Sequence, residues 1–533
     1  MRVSLGLVLG ILAFSRPPQA EKPPEGAPNI VVILADDLGY GDVQAYNPQR
    51  GKIPTPHIDR LASRGLMFTD GHSSSGVCSP SRYTLLTGRY HWRTRLQSGI
   101  VGVFGPPLIA PGRLTLAGLL RRQGYHTACV GKWHLGWDWP AGPGQAGLLQ
   151  AKKGKDGGGP TEEQKSAWRE IFSRPIGGGP TARGFEEYFG TDVPNWPPYC
   201  FIENDRTAGV PSELLPPELL KNHQASLQGP ALPGWSLDRV LPSLVDRACD
   251  VVKRGAARGK PFFLYLPLTS PHTPLAVTEP WKGRSGLVPY ADWVMETDAA
   301  VGRVLEALEQ SGAADRTLVV FTSDNGCAPY VGASEMEQKG HFPSGPFRGY
   351  KADAWEGGHR IPFIVRWPGV VKPGSRCDRP VGHVDLMATF AAILGVRLPD
   401  DAGEDSVSLL PLLKGEDRPV HEALVHHSAN GRFALRSGDW KIILGPGSGG
   451  GFVARNTDAA ALKRGDPPLQ LYNLAADPGE RDNLQGKETE TVDRMARLLE
   501  KLVAEGRSTP GAAQKNDVPV DVWKKGRPGR DSP

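Results

Sequence analysis

Short apolar runs alternate along the chain with stretches in which apolar residues recur every three to four positions. Runs of the first kind are typical of strands buried on both faces, and stretches of the second kind are typical of amphipathic helices. Their alternation predicts an α/β protein with a large, mostly parallel sheet flanked by helices. The predicted strands cover Asn29–Ala35, 127–130, 262–266, 317–322 and 362–366, and the predicted helices cover 55–64, 114–123, 241–257, 290–310 and 387–394.

Two glycine-rich regions interrupt this pattern. The first, 139–180, is predicted to be a flexible surface insertion, because its glycine, proline and lysine residues cannot build a core. The second, 448–466, separates two strand-like segments, FALRSGDWKIIL and LQLYNL. Together with a helix predicted over 491–505, these segments indicate a smaller C-terminal α+β domain with a short antiparallel sheet.

Length and composition set the expected organisation. A chain of 533 residues is too long for one core of ordinary size. We expect a main domain over 28–420, a small C-terminal domain over 421–507 and a poorly ordered tail over 508–533. With 39% hydrophobic residues, 22% charged residues and a net charge of +5, the chain resembles a soluble globular protein and is too weakly basic to indicate a nucleic-acid partner.

The N-terminus has the pattern of an export signal. Residues 1–20 place one arginine before an apolar run, 3–14, and a polar stretch that ends in Ala20. This run is too short to cross a bilayer but suits the hydrophobic region of a signal peptide. We therefore predict a signal peptide over 1–20 and a periplasmic or extracellular protein, with a frayed or membrane-tethered N-terminus as the alternative. No later segment has transmembrane length.

Polar residues follow four of the predicted strands. In open parallel sheets, ligands bind beyond the carboxyl ends of the strands, so these side chains are expected to converge on one site. The residues are Asp36 and Asp37 after the first strand, Lys132 and His134 after the second, His272 after the third, and Asp324 and Asn325 after the fourth.

The acidic members of this set predict a metal site. Either pair alone would more often be a turn or a helix cap. Together, however, they offer three carboxylates and one amide oxygen, which suit Ca²⁺ or Mg²⁺ rather than zinc. Carboxylates about 4 Å apart repel each other by roughly 4 kcal/mol per pair at an effective dielectric constant of about 20. A divalent cation removes that repulsion, so one bound metal per chain is expected.

The basic members predict a pocket for an oxyanion. A single lysine or histidine in a loop is more often a solvated surface residue. Several of them around a cation can instead bind the oxygens of a tetrahedral anion. The candidates are Arg82, Lys132, His134, His272 and Lys351, all expected in or beside turns.

Cys78 precedes a predicted helix in the stretch SSSGVCSPSRYTLLTGRY. We expect Ser79 to cap this helix and Pro80 to lie in its first turn, which places Cys78 at an anion-binding helix N-terminus. Cys78 is then either a buried structural residue or a thiolate nucleophile with a lowered pKa. The other five cysteines show no metal-site spacing, and Cys129 is expected to be a small core residue. If Cys78 is reserved for chemistry, at least one of these five is expected to be free or paired elsewhere.

The motifs in combination resemble those of one enzyme family. CSPSR followed by LLTGR is similar to the signature of the formylglycine-dependent type I sulfatases, which have the alkaline-phosphatase-like fold. ADDLG, GKWHLG, SPHTP, SDNG, WEGG and LYNLAADPGERDNL extend the resemblance from about residue 28 to about residue 506. The order and content are also similar to the arylsulfatase and N-acetylgalactosamine-6-sulfatase branches. The resemblance implies that 28–420 is the catalytic domain.

This resemblance also implies a mechanism. A separate formylglycine-generating maturation enzyme would oxidise Cys78 to formylglycine, whose hydrated aldehyde carries two hydroxyl groups. One hydroxyl would attack the sulfur of the sulfate ester, and the other would later expel sulfate. The resemblance implies Ca²⁺ ligation by Asp36, Asp37, Asp324, Asn325 and the modified residue 78, with Mg²⁺ as an alternative.

The basic residues acquire roles in the same way. The resemblance implies that Arg82 orients the hydrated aldehyde and that Lys132 and His134 support it. It also implies that His272 and Lys351 bind the sulfate and the bridging oxygen, with His272 as general acid for the leaving alcohol. The expected substrate is a sulfated carbohydrate or an aryl sulfate. Two alternatives stay open, namely a phosphonate or phosphate ester hydrolase of the same superfamily and a catalytically silent protein that binds sulfated glycans.

Overall fold

A ten-stranded mixed sheet lies at the centre of the protein. The computed structural model describes residues 23–149, 159–220 and 227–524. The strands are β1 (Asn29–Ala35), β2 (Leu66–Phe68), β3 (Gly71–His72), β4 (His126–Lys132), β5 (Glu187–Thr191), β6 (Ile202–Glu203), β7 (Arg206–Thr207), β8 (Glu213–Leu214), β9 (Pro230–Ala231), β10 (Phe262–Pro267), β11 (Thr317–Ser323), β12 (Phe363–Arg366), β13 (Ser375–Cys377), β14 (Val381–Gly382), β15 (Leu424–His427), β16 (Phe433–Ser437), β17 (Trp440–Ile443) and β18 (Gln470–Asn473).

Helices cover both faces of this sheet. They are α1 (Pro56–Ser63), α2 (Cys78–Thr87), α3 (Leu116–Arg122), α4 (Ala146–Leu149), α5 (Glu162–Phe172), α6 (Val240–Ala257), α7 (Pro289–Gln310), α8 (Ala333–Gln338), α9 (Glu356–His359), α10 (Leu386–Ile393), α11 (Leu410–Leu413), α12 (Asp458–Arg464) and α13 (Thr489–Ala504). Helices α1, α6 and α7 pack on one face, and α2, α3 and α10 pack on the other.

The strand order of the large sheet is β13-β2-β12-β11-β1-β10-β4-β5-β6-β7. Its central strands, β11, β1, β10, β4 and β5, run parallel to one another, whereas β12, β6 and β7 are antiparallel to their neighbours. Along β1, Val31 and Ile33 contribute to one core, while Ile30, Val32 and Leu34 contribute to the other. Burial on both faces explains the uninterrupted apolar runs. The predicted fold class is confirmed.

The predicted elements are close to the observed ones. Strand β1 has the predicted bounds, and the helix expected over 290–310 begins one residue earlier as α7. Strand β4 extends past the predicted end at residue 130, since Gly131 and Lys132 pair with Gly190 and Thr191 of β5. Backbone pairing with a neighbouring strand therefore extends β4 beyond the apolar residues from which it was predicted.

The C-terminal part forms a four-stranded antiparallel sheet in the order β15-β16-β17-β18, contacted by α13. The segment FALRSGDWKIIL contains two of these strands, β16 and β17, joined by a turn with Gly438 at φ 55°. Its core includes Tyr90, Trp92 and Val384 from the preceding part of the chain. The two parts therefore share apolar contacts, and the boundary at residue 420 stays a prediction.

The region 139–180 differs from the predicted flexible insertion. It contains helix α5, on which Trp168, Ile171 and Phe172 are buried and pack with Leu149 of α4. These apolar residues recur at helical spacing and form a small core of their own, which outweighs the glycine and lysine content around them. The prediction of a flexible insertion is wrong for 139–149 and 159–180, and the glycine-rich residues 150–158 lie outside the described residues.

The prediction of a poorly ordered tail is also wrong for residues 508–524. The carboxylate of Asp517 pairs with Arg89 at 3.0 Å, and the indole of Trp523 donates to Glu500 at 2.8 Å. Charged and aromatic side chains of this segment bind side chains of the folded protein. Such contacts cannot be predicted from the composition of the segment. Residues 525–533 and the predicted signal peptide lie outside the described residues. Within the described ranges, no helix combines the length and the apolar character that crossing a membrane requires.

Candidate active site

The polar side chains predicted to converge lie at the carboxyl ends of four adjacent strands, β11, β1, β10 and β4. The backbone N–H of Asp324 donates to the carbonyl of Ala35 at 3.0 Å, and that of Asp36 donates to Ser270 at 3.0 Å, so the turns after the strands are tied together. Asp37 and His134 have φ values of 66° and 51°. Such left-handed backbone is costly for residues other than glycine and persists where the surrounding structure fixes it.

Cys78 is the first residue of α2 and is buried. Its position at a helix N-terminus is as predicted, but the cap is not. The residue before the helix is Val77, which has no capping side chain. The Ser79 hydroxyl instead accepts a hydrogen bond from the Val101 backbone N–H at 3.1 Å, because the loop around Val101 packs against this turn. Pro80 lies in the first turn, as predicted.

Acidic and basic side chains alternate around Cys78. Its Sγ lies 3.7 Å from Oδ1 of Asp36. The other oxygen of Asp36 pairs with Nζ of Lys132 at 2.7 Å, and Oδ2 of Asp37 pairs with Nζ of Lys351 at 2.6 Å. These groups are buried, so their pairing is little screened by solvent.

Arg82 completes the charge balance. It lies inside helix α2, as its fifth residue, whereas the prediction placed it in or beside a turn. Its Nε and Nη2 donate to Oδ2 of Asp324 at 3.0 and 2.8 Å. Nη2 also lies 3.3 Å from Oδ1 of Asp36. Since an arginine on α2 spans two strand ends, it fixes the helix and Cys78 relative to the carboxylates.

The pairing sets the ionisation of these groups. Burial alone would raise the pKa of Asp36, but the positive charges of Lys132, His272 and Arg82 outweigh it and lower that pKa to about 2. Burial alone would lower the pKa of Lys351, but Asp37 raises it well above the ordinary value. Asp36 is therefore a carboxylate, and Lys351 an ammonium, at neutral pH.

His272 and His134 are each held by a hydrogen bond from one ring nitrogen to a backbone carbonyl. Nδ1 of His272 donates to the Thr273 carbonyl at 2.5 Å, which leaves Nε2 at 3.6 Å from Oδ2 of Asp37. Nε2 of His134 donates to the Val101 carbonyl at 3.1 Å. Its Nδ1 is buried and has no hydrogen-bond partner among the described residues. Burial lowers the pKa of both imidazoles, and Lys351 and Lys132 add to the effect at His272 and His134 respectively.

The Cys78 thiol does not have the lowered pKa predicted for a thiolate nucleophile. Burial raises its pKa to about 12, and the attraction of Lys132 and Lys351 only partly opposes this. The physical reason is that desolvation of a thiolate outweighs the helix N-terminus in a fully enclosed position. An unmodified Cys78 is thus a protonated thiol at neutral pH. All six cysteines are described, and all are free.

The acidic residues fit a divalent cation. One candidate ligand group is formed by Asp36, Asp37, Cys78 and His272, whose ligating atoms all lie within 4.8 Å of one another. Oδ1 of Asn325 is buried and has no hydrogen-bond partner among the described residues, while its Nδ2 donates to Oδ1 of Asp37 at 2.7 Å. An orphaned buried acceptor beside hard oxygen donors is what a Ca²⁺ or Mg²⁺ site provides.

Asp324 is placed differently from the other predicted ligands. Its Oδ1 accepts from the Asp37 backbone N–H at 3.1 Å, and its Oδ2 is held by Arg82. A carboxylate oxygen can accept more than one contact, so these bonds orient Asp324 toward the strand ends without excluding a metal.

Two nearby residues were missed in the sequence. Burial raises the pKa of Tyr330 to about 12, and the charge of Lys351 opposes this shift while that of Asp37 adds to it. Asp192 accepts from the His134 backbone N–H at 3.2 Å, and burial raises its pKa to about 6. Asp192 follows a strand, β5, whose mixed polar and apolar composition hid it from the pattern. No local signal marks Tyr330.

Comparison with known proteins identifies the family of this arrangement. A model of the sulfatase family matches residues 28–396. An N-acetylgalactosamine-6-O-sulfatase of Bacteroides thetaiotaomicron is 32% identical, with 89% of this chain and 92% of that protein covered. Arylsulfatase A of Bos taurus is 34% identical, with 88% and 85% covered. A solved structure from work on glycosaminoglycan metabolism by Bacteroides thetaiotaomicron superposes with a TM-score of 0.74 at 30% identity, covering 90% of this chain and 99% of that one.

Proposed function

Because the chain belongs to the sulfatase family, we propose that it removes sulfate from a sulfated carbohydrate or an aryl sulfate, with a formylglycine made from Cys78 beside a bound Ca²⁺. The family hydrolyses sulfate esters of sulfated glycans or of aryl or steryl compounds. The observation that carries the finer proposal is the position of Cys78, buried at the first residue of α2 with its Sγ 3.7 Å from Asp36. A thiol with a pKa of about 12 is a poor nucleophile there, whereas a hydroxyl of a hydrated aldehyde is an oxygen ligand that a bound cation would activate.

The proposed metal ligands are the strand-end oxygens and the modified side chain. They are Asp36, Asp37, Asp324, Asn325 and residue 78. The orphaned Oδ1 of Asn325 and the repulsion among the three carboxylates support this assignment. A bound Ca²⁺ supplies positive charge that neutralises the carboxylates and lowers the pKa of a hydroxyl at residue 78. Ca²⁺ is preferred to Mg²⁺ because the donor set is carboxylate-rich.

Residue 78 supplies the nucleophile in this proposal. The hydrated formylglycine has two hydroxyl groups, one to displace the alcohol from sulfur and one whose proton is removed as sulfate is released. Arg82 holds the carboxylates that face residue 78, and Lys132 balances the charge of Asp36. The unpartnered Nδ1 of His134 is an acceptor that can hold a proton of the hydrated aldehyde.

Lys351 and His272 are proposed to hold the ester. The Lys351 ammonium stays charged, since Asp37 raises its pKa, and it can bind sulfate oxygens. Nε2 of His272 faces the same site, because Nδ1 is committed to the Thr273 carbonyl. We assign to the imidazolium form of His272, which carries a proton on Nε2 as well as on Nδ1, the transfer of the Nε2 proton to the leaving alcohol. Because the pKa of His272 is lowered, the imidazolium gives up this proton readily.

The substrate class is proposed from the relatives. The matched proteins are named for N-acetylgalactosamine 6-sulfate and aryl sulfates, which both carry the sulfate on a ring-bearing alcohol or phenol. We therefore propose a ring-bearing sulfate ester for this chain. Export to the periplasm or the extracellular space and activation by a formylglycine-generating enzyme belong to the same proposal.

The test is to co-express the chain with a formylglycine-generating enzyme and to analyse the peptide containing residue 78 by mass spectrometry. We expect loss of the thiol with the mass of an aldehyde, and hydrolysis of 4-nitrophenyl sulfate in proportion to the modified fraction. Full activity with an unmodified Cys78 would refute the formylglycine. Hydrolysis of 4-nitrophenyl phosphate or phenylphosphonate esters without hydrolysis of any sulfate would refute the sulfatase assignment for this chain.

A further inference from the structure

Phe452 is a large apolar side chain that stays exposed beside the candidate active site. Among the described residues, Phe452 and Leu462 are the two large hydrophobic side chains recorded as exposed, at 50% and 62%. Leu462 lies on α12, whereas Phe452 lies at the end of the glycine-rich loop between β17 and α12. The ring of Phe452 packs edge-on against Tyr330, with centroids 5.1 Å apart and an interplanar angle of 72°.

Tyr330 connects this ring to the catalytic groups. Its half-buried side chain comes five residues after Asn325, at the carboxyl-end side of β11, and the charges of Lys351 and Asp37 act on the pKa of its hydroxyl. The two rings therefore form a continuous aromatic surface that runs from the half-buried Tyr330 to the exposed Phe452. We call Tyr330 and Phe452 the aromatic rim.

The backbone of the glycine-rich loop fixes the position of the rim. The Ala354 backbone N–H donates to the Ser448 carbonyl at 2.8 Å, three residues after Lys351. A Cβ on Gly450 would lie 2.2 Å from Oδ1 of Asp353, so any other residue here would require the Asp353 side chain to shift. Phe452 is thus held in place by the segment that carries Lys351, although it comes from the C-terminal part of the chain.

We propose that the aromatic rim binds the ring of the alcohol or phenol that carries the sulfate. This inference rests on the proposed function and adds to it the residues that recognise the leaving group. A sulfate held by Lys351 and His272 must direct its ester oxygen, and the ring beyond it, away from the buried carboxylates. Tyr330 and Phe452 offer apolar and π surface next to Lys351, where a sugar or aryl face can stack.

The test compares Phe452→Ala, the conservative Phe452→Tyr and the control Leu462→Ala, all with residue 78 converted to formylglycine. KM and kcat are measured with 4-nitrophenyl sulfate, and inhibition is measured with inorganic sulfate, which has no ring. We expect Phe452→Ala to raise KM by about five- to tenfold with kcat within twofold, because a stacking contact of this size is lost. In Phe452→Ala the inhibition constant of sulfate should stay unchanged. Phe452→Tyr should keep the KM of the wild type, because it retains the aromatic ring. Leu462→Ala should have the KM and kcat of the wild type.

Several results would overturn the aromatic rim while leaving the proposed function intact. An unchanged KM in Phe452→Ala is one, and an equal loss of affinity for inorganic sulfate is another. A change of sedimentation coefficient in Phe452→Ala, with no change of KM, would show that Phe452 contacts a second copy of the chain instead. If the wild type hydrolyses no sulfate ester, the proposed function fails. In that case, calorimetric titration with 4-nitrophenyl sulfate measures its affinity for the wild type and for Phe452→Ala. Equal affinities would show that the aromatic rim does not bind the ring.

Discussion

The Arg82 guanidinium donates two hydrogen bonds to a single carboxylate oxygen of Asp324, from Nε at 3.0 Å and from Nη2 at 2.8 Å. Neither side chain is exposed. This pair joins helix α2, which begins with Cys78, to the carboxyl end of β11. The nucleophile position and the candidate metal site are therefore held together by one buried ion pair.

Replacement of Asp324 by Ala should cost both stability and metal. Loss of one partner of a buried ion pair costs up to about 3–5 kcal/mol, and the remaining contact of Arg82 with Asp36 reduces this cost. One of the candidate metal ligands is lost as well. Metal content by plasma mass spectrometry and the apparent Tm should both fall. Asp324→Asn keeps an acceptor for the Asp37 backbone N–H and serves as the matched control, with an intermediate loss of Tm. An unchanged calcium content in both variants would count against the proposed site.

Cys78→Ala should abolish turnover and retain the fold. The Cys78 thiol faces Asp36 and belongs to neither of the apolar cores on the two faces of the large sheet, and only its oxidation product is proposed to attack sulfur. Hydrolysis of 4-nitrophenyl sulfate is compared with circular dichroism and the apparent Tm. Cys129→Ala is the control for loss of a buried thiol, since Cys129 lies in β4 and is predicted to be structural. Activity in Cys78→Ala equal to that of the wild type would refute the proposed nucleophile.

Lys351→Ala should weaken the binding of sulfate. A charge-assisted hydrogen bond contributes about 1.5–3 kcal/mol, so the inhibition constant of inorganic sulfate should rise by roughly 10- to 100-fold. The exposed Lys339, which pairs with Glu335, provides Lys339→Ala as a control of equal charge change. If both variants bind sulfate as tightly as the wild type does, Lys351 has another role.

Lys441→Met should destabilise the junction between the C-terminal sheet and the large sheet. Nζ of Lys441 lies 2.8 Å from Glu356 and 2.8 Å from Glu480, and 3.0 Å from Nε2 of His359. Without this charge two buried carboxylates face each other, which costs about 3–5 kcal/mol. The apparent Tm should fall and partly recover in Lys441→Met/Glu480→Gln. A loss of this size should lower the Tm by well over about one degree. A smaller change in Lys441→Met would show that Lys441 does not stabilise the two glutamates.

Asp298 should make stability fall as pH rises. Burial raises its pKa to about 7, although the backbone N–H groups of Ile58 and His57, at 2.8 and 3.1 Å, oppose the shift. A carboxyl with a raised pKa in the fold stabilises the protein below the unfolded value of 3.8, and this contribution is lost as the pH rises through about 7.

Asp298→Asn removes this dependence while an amide oxygen still accepts from the start of α1. The Tm of the wild type should therefore fall relative to that of the variant between about pH 4 and about pH 7. Asp315→Asn, at a highly exposed carboxylate, is the control. A constant Tm difference between wild type and Asp298→Asn over that range would contradict the raised pKa.

The fold was largely predictable from local patterns. Strand β1 has seven residues that are all buried, and its apolar run predicts its bounds without reference to other residues. The tail was not predictable in this way. The burial of Arg89 against Asp517 joins residues 428 positions apart, and neither partner has a local pattern that indicates the contact.

The sequence by itself determined the strands, the motifs at their carboxyl ends and, through the parallel order, the convergence of Asp36, Asp37, Lys132 and Asp324. Periodicity and strand direction are properties of short segments, so they can be read one segment at a time. Only the tertiary structure decided that burial raises the pKa of Cys78, that Ser79 is engaged by Val101, and that Phe452 meets Tyr330. Desolvation and packing depend on every segment that surrounds a side chain, and these segments come together only when the whole chain has folded.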